Sequence, residues 1–299
     1  MKPKVSIFIP TKNPGPDFSI VLERIFDQKE KNLEVIIVDS GSMDQTLEIA
    51  AKYPAELVNI KPEEFGHGRT RNLALKYSKA DYIVFLTQDA IPANEFWLIN
   101  LLRNFSDKKI AGVFSRQIPR KEAKEIQRFF YMYYFPDNKI IRPKREYNSI
   151  QNRFFSNVSS CIKKDVLQKC CFSDRILTTE DQEWAKRVTD LGYQTVYEPK
   201  SVVIHSHNHK LVYIFKEYFD SASALSEITK QEYLEFQNGS RKYFYNEFMH
   251  VLQRKPTELL YWLITNIVKI PGIFFGLKQK KLPLSWKRNL SLQKNYWKN

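Results

Sequence analysis

Between residues 5 and 115, short runs rich in Val, Ile and Phe alternate with stretches whose apolar positions recur every three or four residues. The runs at 5–9, 33–38, 56–60, 82–86 and 111–114 predict strands, each bounded by turn residues or charge. The stretches at 18–26, 45–52, 70–77 and 96–105 predict helices. Ser42, with Gln45 three residues on, supplies a capping signal for the second of these. Strands and helices alternating at such lengths form βα units, hence an α/β fold with a mostly parallel sheet flanked by helices. Sheets of this kind bind ligands beyond the carboxyl ends of their strands. That rule directs attention to Pro10-Thr11-Lys12-Asn13, Asp39-Ser40-Gly41-Ser42 and Thr87-Gln88-Asp89.

The alternation fails over 116–150, a basic segment with six aromatic residues between Phe129 and Phe135 that reads as a loop or helix lying over the site. A second αβ portion follows, with strands predicted at 156–162, 194–197 and 202–204 and helices at 163–169 and 180–191. From about 211 strands cease and the periodicity is helical. The expected division is therefore a domain over 1–210, in two halves at 1–115 and 116–210, with a helical C-terminal extension over 211–299. The apolar stretch 259–277 contains Asn266, Lys269, Pro271 and Gly272. Crossing a bilayer would bury a charge and a helix break, so this stretch is expected at a membrane interface.

Charge sharpens this picture. The 299 residues hold 47 Lys+Arg against 33 Asp+Glu, a net charge of +14, and 43% are hydrophobic, which excludes a disordered tail. Residues 1–115 and 146–258 each balance at 15 basic and 15 acidic. The excess sits at 116–145, with nine basic and three acidic residues, and at 259–299, with eight basic and no acidic ones. The first patch is expected near a diphosphate, and the second, with its tryptophans, against an anionic membrane surface. A basic nucleic-acid-binding protein is a remote alternative. It leaves the strand-end carboxylates unexplained, so no nucleic acid is expected. Cys161, Cys170 and Cys171 lack zinc-ligand spacing, and the apolar run at 5–9 is too short for a signal-peptide core. Both features point to a reducing, cytoplasmic setting.

Several residues carry candidate chemistry. Asp39 ends a hydrophobic strand, where it serves either as a turn carboxylate or as an acceptor for a base N–H or ribose hydroxyl. Asp89 ends another strand and suits a divalent cation bridging a diphosphate, or a simple cap. In Phe65-Gly66-His67-Gly68-Arg69-Thr70-Arg71-Asn72, amides and guanidinium groups at a helix start offer a phosphate seat without P-loop or Rossmann spacing. Glu180-Asp181 opens a helix, where the acids either complement its dipole or provide a general base. His205 and His207 alternate on an extended segment after a strand, so both face one way.

Taken in order, VSIFIPTKN, VIIVDSGSMDQT, FGHGRTRN, VFLTQDAIP, TEDQEWAKRV and VVIHSH resemble the GT-A glycosyltransferases of family 2, especially the bacterial rhamnosyltransferase branch. The likeness covers most of residues 1–220, and the C-terminal KLPLSWKRNLSLQKNYW is similar to the tails of that branch. It implies a GT-A fold, Rossmann-like, whose 1–115 half binds nucleotide and whose 116–210 half takes the acceptor. It also implies an inverting sugar transfer in cell-surface glycan synthesis, from dTDP-L-rhamnose or, alternatively, a UDP-sugar, to a lipid-linked or polysaccharide acceptor. On this likeness Thr11 and Asp39, with Pro10 and Asn13 nearby, hold the nucleotide. His67, Arg69, Arg71 and Gln88 join the nucleotide-sugar site. The family's Asp-X-Asp motif falls on Thr87-Gln88-Asp89, so Asp89 remains for Mg²⁺ or Mn²⁺, with His205 as a second ligand and His207 as its alternative. Asp181 matches the catalytic base, with Glu180 beside it. The basic, tryptophan-bearing tail, which would bring such a site to a lipid-linked acceptor, leads to the expectation of a peripheral enzyme on the inner face of the cell membrane.

Overall fold

The computed structural model describes residues 4–142, 154–228 and 233–297, so part of the basic aromatic segment, 143–153, lies outside the described residues. Contacts divide the chain into two compact units. The first comprises residues 1–118, 134–173 and 181–205; the second comprises 119–133, 174–180 and 206–299.

The first unit is built on a nine-stranded mixed sheet. Its strands are β1 (Val5–Thr11), β2 (Leu33–Asp39), β3 (Ala55–Asn59), β4 (Tyr82–Leu86), β5 (Ile91–Pro92), β6 (Ile110–Ile118), β7 (Ile140–Arg142), β8 (Ser159–Lys163) and β9 (Gln194–Ile204). Their order is β3-β2-β1-β4-β8-β6-β9-β5, with β7 also on β9. β1, β2, β3 and β4 are parallel, β8 runs against both β4 and β6, and β9 is parallel to β6. Six strands thus point one way and end at one edge. The expected mostly parallel sheet is present in that sense, while β5, β7 and β8 run opposite.

Val35, Ile36, Ile37 and Val38 in β2, like Val84 and Phe85 in β4, are buried on both faces of the sheet. This is why these strands read as continuous apolar runs. Helix α1 (Phe18–Phe26) buries Phe18, Val21, Leu22 and Ile25, at helical spacing. Helices α2 (Thr46–Ala50), α3 (His67–Asn72), α4 (Ala74–Tyr77) and α5 (Trp97–Leu102) follow. The helix expected from Thr70 starts three residues earlier and breaks in two at Leu73. The capping expectation for α2 fails: Ser42 Oγ turns back to the Asp39 carboxylate at 2.5 Å, because a charged acceptor outcompetes a neutral helix end. Asp44 serves α2 instead, accepting from the Thr46 amide at 3.1 Å.

The alternation was expected to fail at 116, yet β6 runs to Ile118. The strands expected at 194–197 and 202–204 are one strand, with a register shift between Ser115 and Arg116 opposite. Helices α6 (Glu125–Tyr134), α7 (Lys164–Lys169) and α8 (Glu180–Asp190) precede the C-terminal helices α9 (Leu211–Ile228), α10 (Tyr233–Arg254), α11 (Leu259–Leu277) and α12 (Leu284–Leu290).

In the second unit the Phe129 ring meets Tyr243 at 5.1 Å, and Ile126 packs with Val251 and Trp262. These contacts give 119–133 to the helical unit, so no single cut at 210 separates the compact units. The cations of 116–142 are largely engaged: Arg116 with Asp137, Lys139 with Glu198, Lys124 with Glu258, Arg128 with Glu125, and Arg142 over the Phe114 ring.

Candidate active site

Thr11, Asp39, Asp89 and His205 stand at or just beyond the carboxyl ends of strands that run the same way. Thr11 and Asp39 are register partners in β1 and β2 and are nearly fully buried. The Asp39 carboxylate accepts from the amides of Gly41 and Ser42 at 2.9 and 2.8 Å, from Thr11 Oγ1 at 3.1 Å and from Ser42 Oγ. A carboxylate has about four acceptor sites, so Asp39 as it stands carries out its turn role. A nucleotide hydroxyl or N–H would take the place of a hydroxyl donor here.

The first loop is locked to its neighbours. Asn13, at φ +45°, donates its amide to Ser42 Oγ at 2.8 Å and accepts from Met43 at 2.7 Å. Asparagine tolerates this left-handed backbone better than most residues. Gln88 spans to the same loop, accepting from the Lys12 amide at 2.7 Å and donating to the Lys12 carbonyl at 3.2 Å. Its side chain therefore ties the loop after β1 to the turn after β4. Pro10 is half-buried opposite Val38. Asp44 accepts from the Thr46 hydroxyl and, at 2.9 Å, from the Gly15 amide. These bonds, Thr46's first, hold its carboxyl below the usual range.

The glycine- and arginine-bearing segment forms α3. His67 is half-buried, Arg69 exposed and Arg71 buried, with Arg71 Nη1 donating to the His67 carbonyl at 3.3 Å. A Cβ on Gly68 would stand 2.1 Å from the Ser173 carbonyl oxygen, so only glycine permits this approach. Asn72 fixes the same junction through two bonds to the Phe172 backbone, at 2.9 and 3.0 Å. Phe172 and Phe155 pack on Trp184 of α8, whose indole N–H donates to the Cys170 carbonyl at 2.8 Å. The α3 segment and the start of α8 are thus braced by one aromatic cluster.

Asp181 opens α8. Asn157, just before β8, donates its backbone amide to Asp181 Oδ2 at 2.9 Å, while Oδ1 accepts from Gln182 at 2.9 Å. Thr87 donates its amide to the Val158 carbonyl at 3.0 Å. The loop holding Asp181 therefore adjoins the Thr87-Gln88-Asp89 turn. Glu180 is buried and belongs to the other compact unit. Thr179, immediately before the helix, has φ +63°. For a β-branched residue that backbone costs roughly 1–3 kcal/mol, and such strain gathers at functional sites.

His205 follows β9, its amide bonded to the Ile118 carbonyl at 2.9 Å. Its Nε2 lies 3.6 Å from Asp89 Oδ1, and its Nδ1 lies 3.2 Å from Gln117 Oε1. Gln117 is buried and donates its own amide to Ser156 Oγ at 2.9 Å. With the Gln117 oxygen toward the imidazole, the tautomer protonated at Nδ1 would donate to it and present the Nε2 lone pair toward Asp89. A nitrogen lone pair and a carboxylate oxygen at this separation fit one divalent cation, each ligand being about 2.0–2.2 Å from it. Sequence reasoning missed Gln117 and Asn157, whose signal is positional and needs the register. His207, two residues on, belongs to the second unit, where its ring stacks on His209 at 4.7 Å.

The profile for Glycosyl transferase family 2 matches residues 6–169, a span that includes every strand-end loop from Pro10 to Asp89. The chain belongs to glycosyl transferase family 2. It is therefore an inverting glycosyltransferase, of the rhamnosyltransferase-like branch.

Among its relatives is O-antigen chain rhamnosyltransferase RfbN of Salmonella typhimurium, 32% identical over 99% of this chain and 96% of that protein. Another is O-antigen chain rhamnosyltransferase WbaN of Salmonella anatum, 30% identical over the same shares. The fold is also that of the mannosyltransferase PcManGT of Pyrobaculum calidifontis, solved with GDP-Man and Mn²⁺, with a TM-score of 0.58 and 18% identity over 99% of this chain and 85% of that one. The S. aureus TarS fragment 1–349 solved with UDP-GlcNAc matches at a TM-score of 0.55 and 15% identity, covering 93% and 91%.

Proposed function

We propose that the enzyme transfers L-rhamnose from dTDP-L-rhamnose to a hydroxyl of a lipid-linked or polysaccharide acceptor, in synthesis of an O-antigen-like cell-surface glycan on the cytoplasmic side of the membrane. The observation that carries the donor reading is the end-to-end likeness to two proteins named as O-antigen chain rhamnosyltransferases. A likeness confined to the nucleotide-binding loops would not favour one sugar, whereas one spanning 99% of the chain includes whatever shapes the sugar and acceptor sites.

In the proposed reaction Asp181 takes the proton of the acceptor hydroxyl as its oxygen attacks the anomeric carbon. The bond from that carbon to the diphosphate breaks on the opposite face and the anomeric configuration inverts. The Asn157 and Gln182 amides hold the carboxylate in one orientation, which limits the search for an attack geometry. Thr11 and Asp39, flanked by Pro10 and Asn13, seat the nucleoside. His67, Arg69 and Arg71 face the sugar diphosphate, and Gln88 acts by holding the Lys12 backbone. Asp89 and His205, with His207 as the alternative nitrogen, would hold Mg²⁺ or Mn²⁺. When bound, the cation neutralises charge developing on the leaving diphosphate.

Asp181→Asn tests this reading, because the amide keeps the shape and cannot accept the proton. Transfer should fall by about a thousandfold or more while donor binding, followed by calorimetry, stays within a few-fold. Near-normal transfer would remove Asp181 from the role of base. A donor panel of dTDP-rhamnose against UDP-hexose, UDP-galactofuranose and UDP-N-acetylhexosamine, read by thermal shift, separates the rhamnose reading from the UDP-sugar alternative.

A further inference from the structure

Helix α11 is built inside out. Its polar residues face protein: Thr265 and Asn266 are buried, and Asn266 Nδ2 and Trp262 Nε1 both donate to Glu247 Oε2, at 3.3 and 2.9 Å. The Lys269 ammonium lies 3.6 Å from Glu247 Oε1 and 5.3 Å from the Tyr218 ring centre. Gly272 and Gly276 complete this face. A Cβ on the first would stand 2.7 Å from the Phe215 carbonyl oxygen, and on the second 2.5 Å from that of Phe219. Such backbone approach between α11 and α9 is possible only for glycine.

Six apolar residues face outward. Leu260, Leu263, Ile264, Ile267, Ile270 and Phe274 are 38–67% exposed. Their spacing of three and four residues aligns them in one strip, about 21 Å long at 1.5 Å per residue. A surface helix of a soluble domain shows the reverse arrangement, and an apolar face of this extent marks an interaction site. Cations stand at both ends of the strip. Arg254 and Lys255 precede it and Lys278, Lys280 and Lys281 follow it, all exposed. Lys278 Nζ lies 4.0 Å from the Phe274 ring centre, and Trp286 beyond is half exposed.

By length and composition the segment 256–277 could cross a membrane. One of its faces is occupied by α9 and α10, however, so only the other is available to lipid. We propose that this outer face is a membrane-docking surface, with the strip sunk in plane at the acyl boundary and the flanking cations on anionic headgroups. Charge selects lipid as the occupant. Residues 259–299 contain no acid, and a second copy on the same face would bring like charges together. The inference goes beyond the sugar reading and depends on it only for its purpose, which is to keep the enzyme at the surface that carries a lipid-linked acceptor.

The full chain, without donor or acceptor, is floated with phosphatidylcholine vesicles and with vesicles that include phosphatidylglycerol. It should bind the anionic vesicles, and binding should weaken with salt. Ile267→Glu/Ile270→Glu should reduce partitioning by about tenfold or more, with an unchanged circular dichroism spectrum and unchanged transfer to a water-soluble acceptor. Lys280→Glu/Lys281→Glu should reduce the preference for phosphatidylglycerol. Wild-type vesicle binding by the double Ile variant would overturn the proposal. So would a dimer in solution that the variant dissociates while vesicle binding persists, since the face would then join two copies. The transfer assay with a soluble acceptor is independent of vesicles, so failure of the docking surface and failure of the glycosyltransfer reading give different results.

Discussion

An imidazole presents a lone pair at a defined nitrogen only when its surroundings decide which nitrogen carries the proton, and for His205 the side chain in contact with Nδ1 is Gln117, at 3.2 Å. Gln117→Leu keeps the approximate volume but removes the amide that contacts Nδ1. It should weaken Mn²⁺ binding by about 10–100-fold, measured by electron paramagnetic resonance titration, with the fold intact by circular dichroism. Equal affinity in the variant would mean that Gln117 does not set the protonation of His205. At this scale the sequence was legible wherever a side chain stands at a strand end: Thr11, Asp39, Asp89 and His205 were all found by that rule. It was silent on Gln117, which lies near the end of a strand expected to have stopped earlier, and on Asn157, which acts through its backbone. Gln88 and Ser42 were legible as site or cap residues, and the bonds that hold the loops together, from Gln88 to the Lys12 backbone and from Ser42 to the Asp39 carboxylate, depend on the tertiary fold.

Among the elements, the seating of α3 depends on Gly68. Gly68→Ala should destabilise the first unit by about 1–3 kcal/mol, since the Ser173 carbonyl is backbone and cannot swing away. Gly66→Ala is the control: its nearest neighbour is the Arg69 side chain at 3.6 Å, and its φ of −166° suits any residue. Chemical denaturation of the two variants separates them.

In α9, burial pushes the Asp220 carboxyl up to about 6 from 3.8, although Ser291 and the amides of Leu292 and Gln293 oppose the rise. From about pH 4 to 6 the folded chain keeps a proton that the unfolded chain has lost, so stability falls as pH rises through that window. The loss is up to roughly 2–3 kcal/mol. Asp220→Asn should flatten this part of the stability curve, and denaturation at a series of pH values measures it. The strands with long apolar runs were readable because burial on both faces demands such runs. β5 and β7, of two and three residues, leave no pattern to read, and the antiparallel sense of β8 depends on pairing with β4 and β6.

For the whole molecule, the net charge of +14 resolves into two unlike parts. Cations of 116–142 are drawn into ion pairs and a cation–π contact inside their units, whereas Lys278, Lys280 and Lys281 are exposed at one end of an apolar strip, Lys278 over its last ring. Composition located both patches but could not tell them apart, because pairing is a tertiary fact. The helical extension was legible from its periodicity, but its recruitment of 119–133 was not, since that packing joins aromatic residues far apart in the chain, such as Phe129 and Tyr243.

The central claim, rhamnosyl transfer with inversion, is tested most directly by incubating the enzyme with Mn²⁺, dTDP-L-rhamnose and a lipid-linked acceptor, and examining the product by mass spectrometry and proton NMR. The expected product is an acceptor heavier by one deoxyhexose, with the anomeric configuration opposite to that of the donor and no product from Asp181→Asn. Transfer of a hexose or hexosamine from a UDP-sugar in preference to rhamnose, or a product with retained configuration, would contradict it.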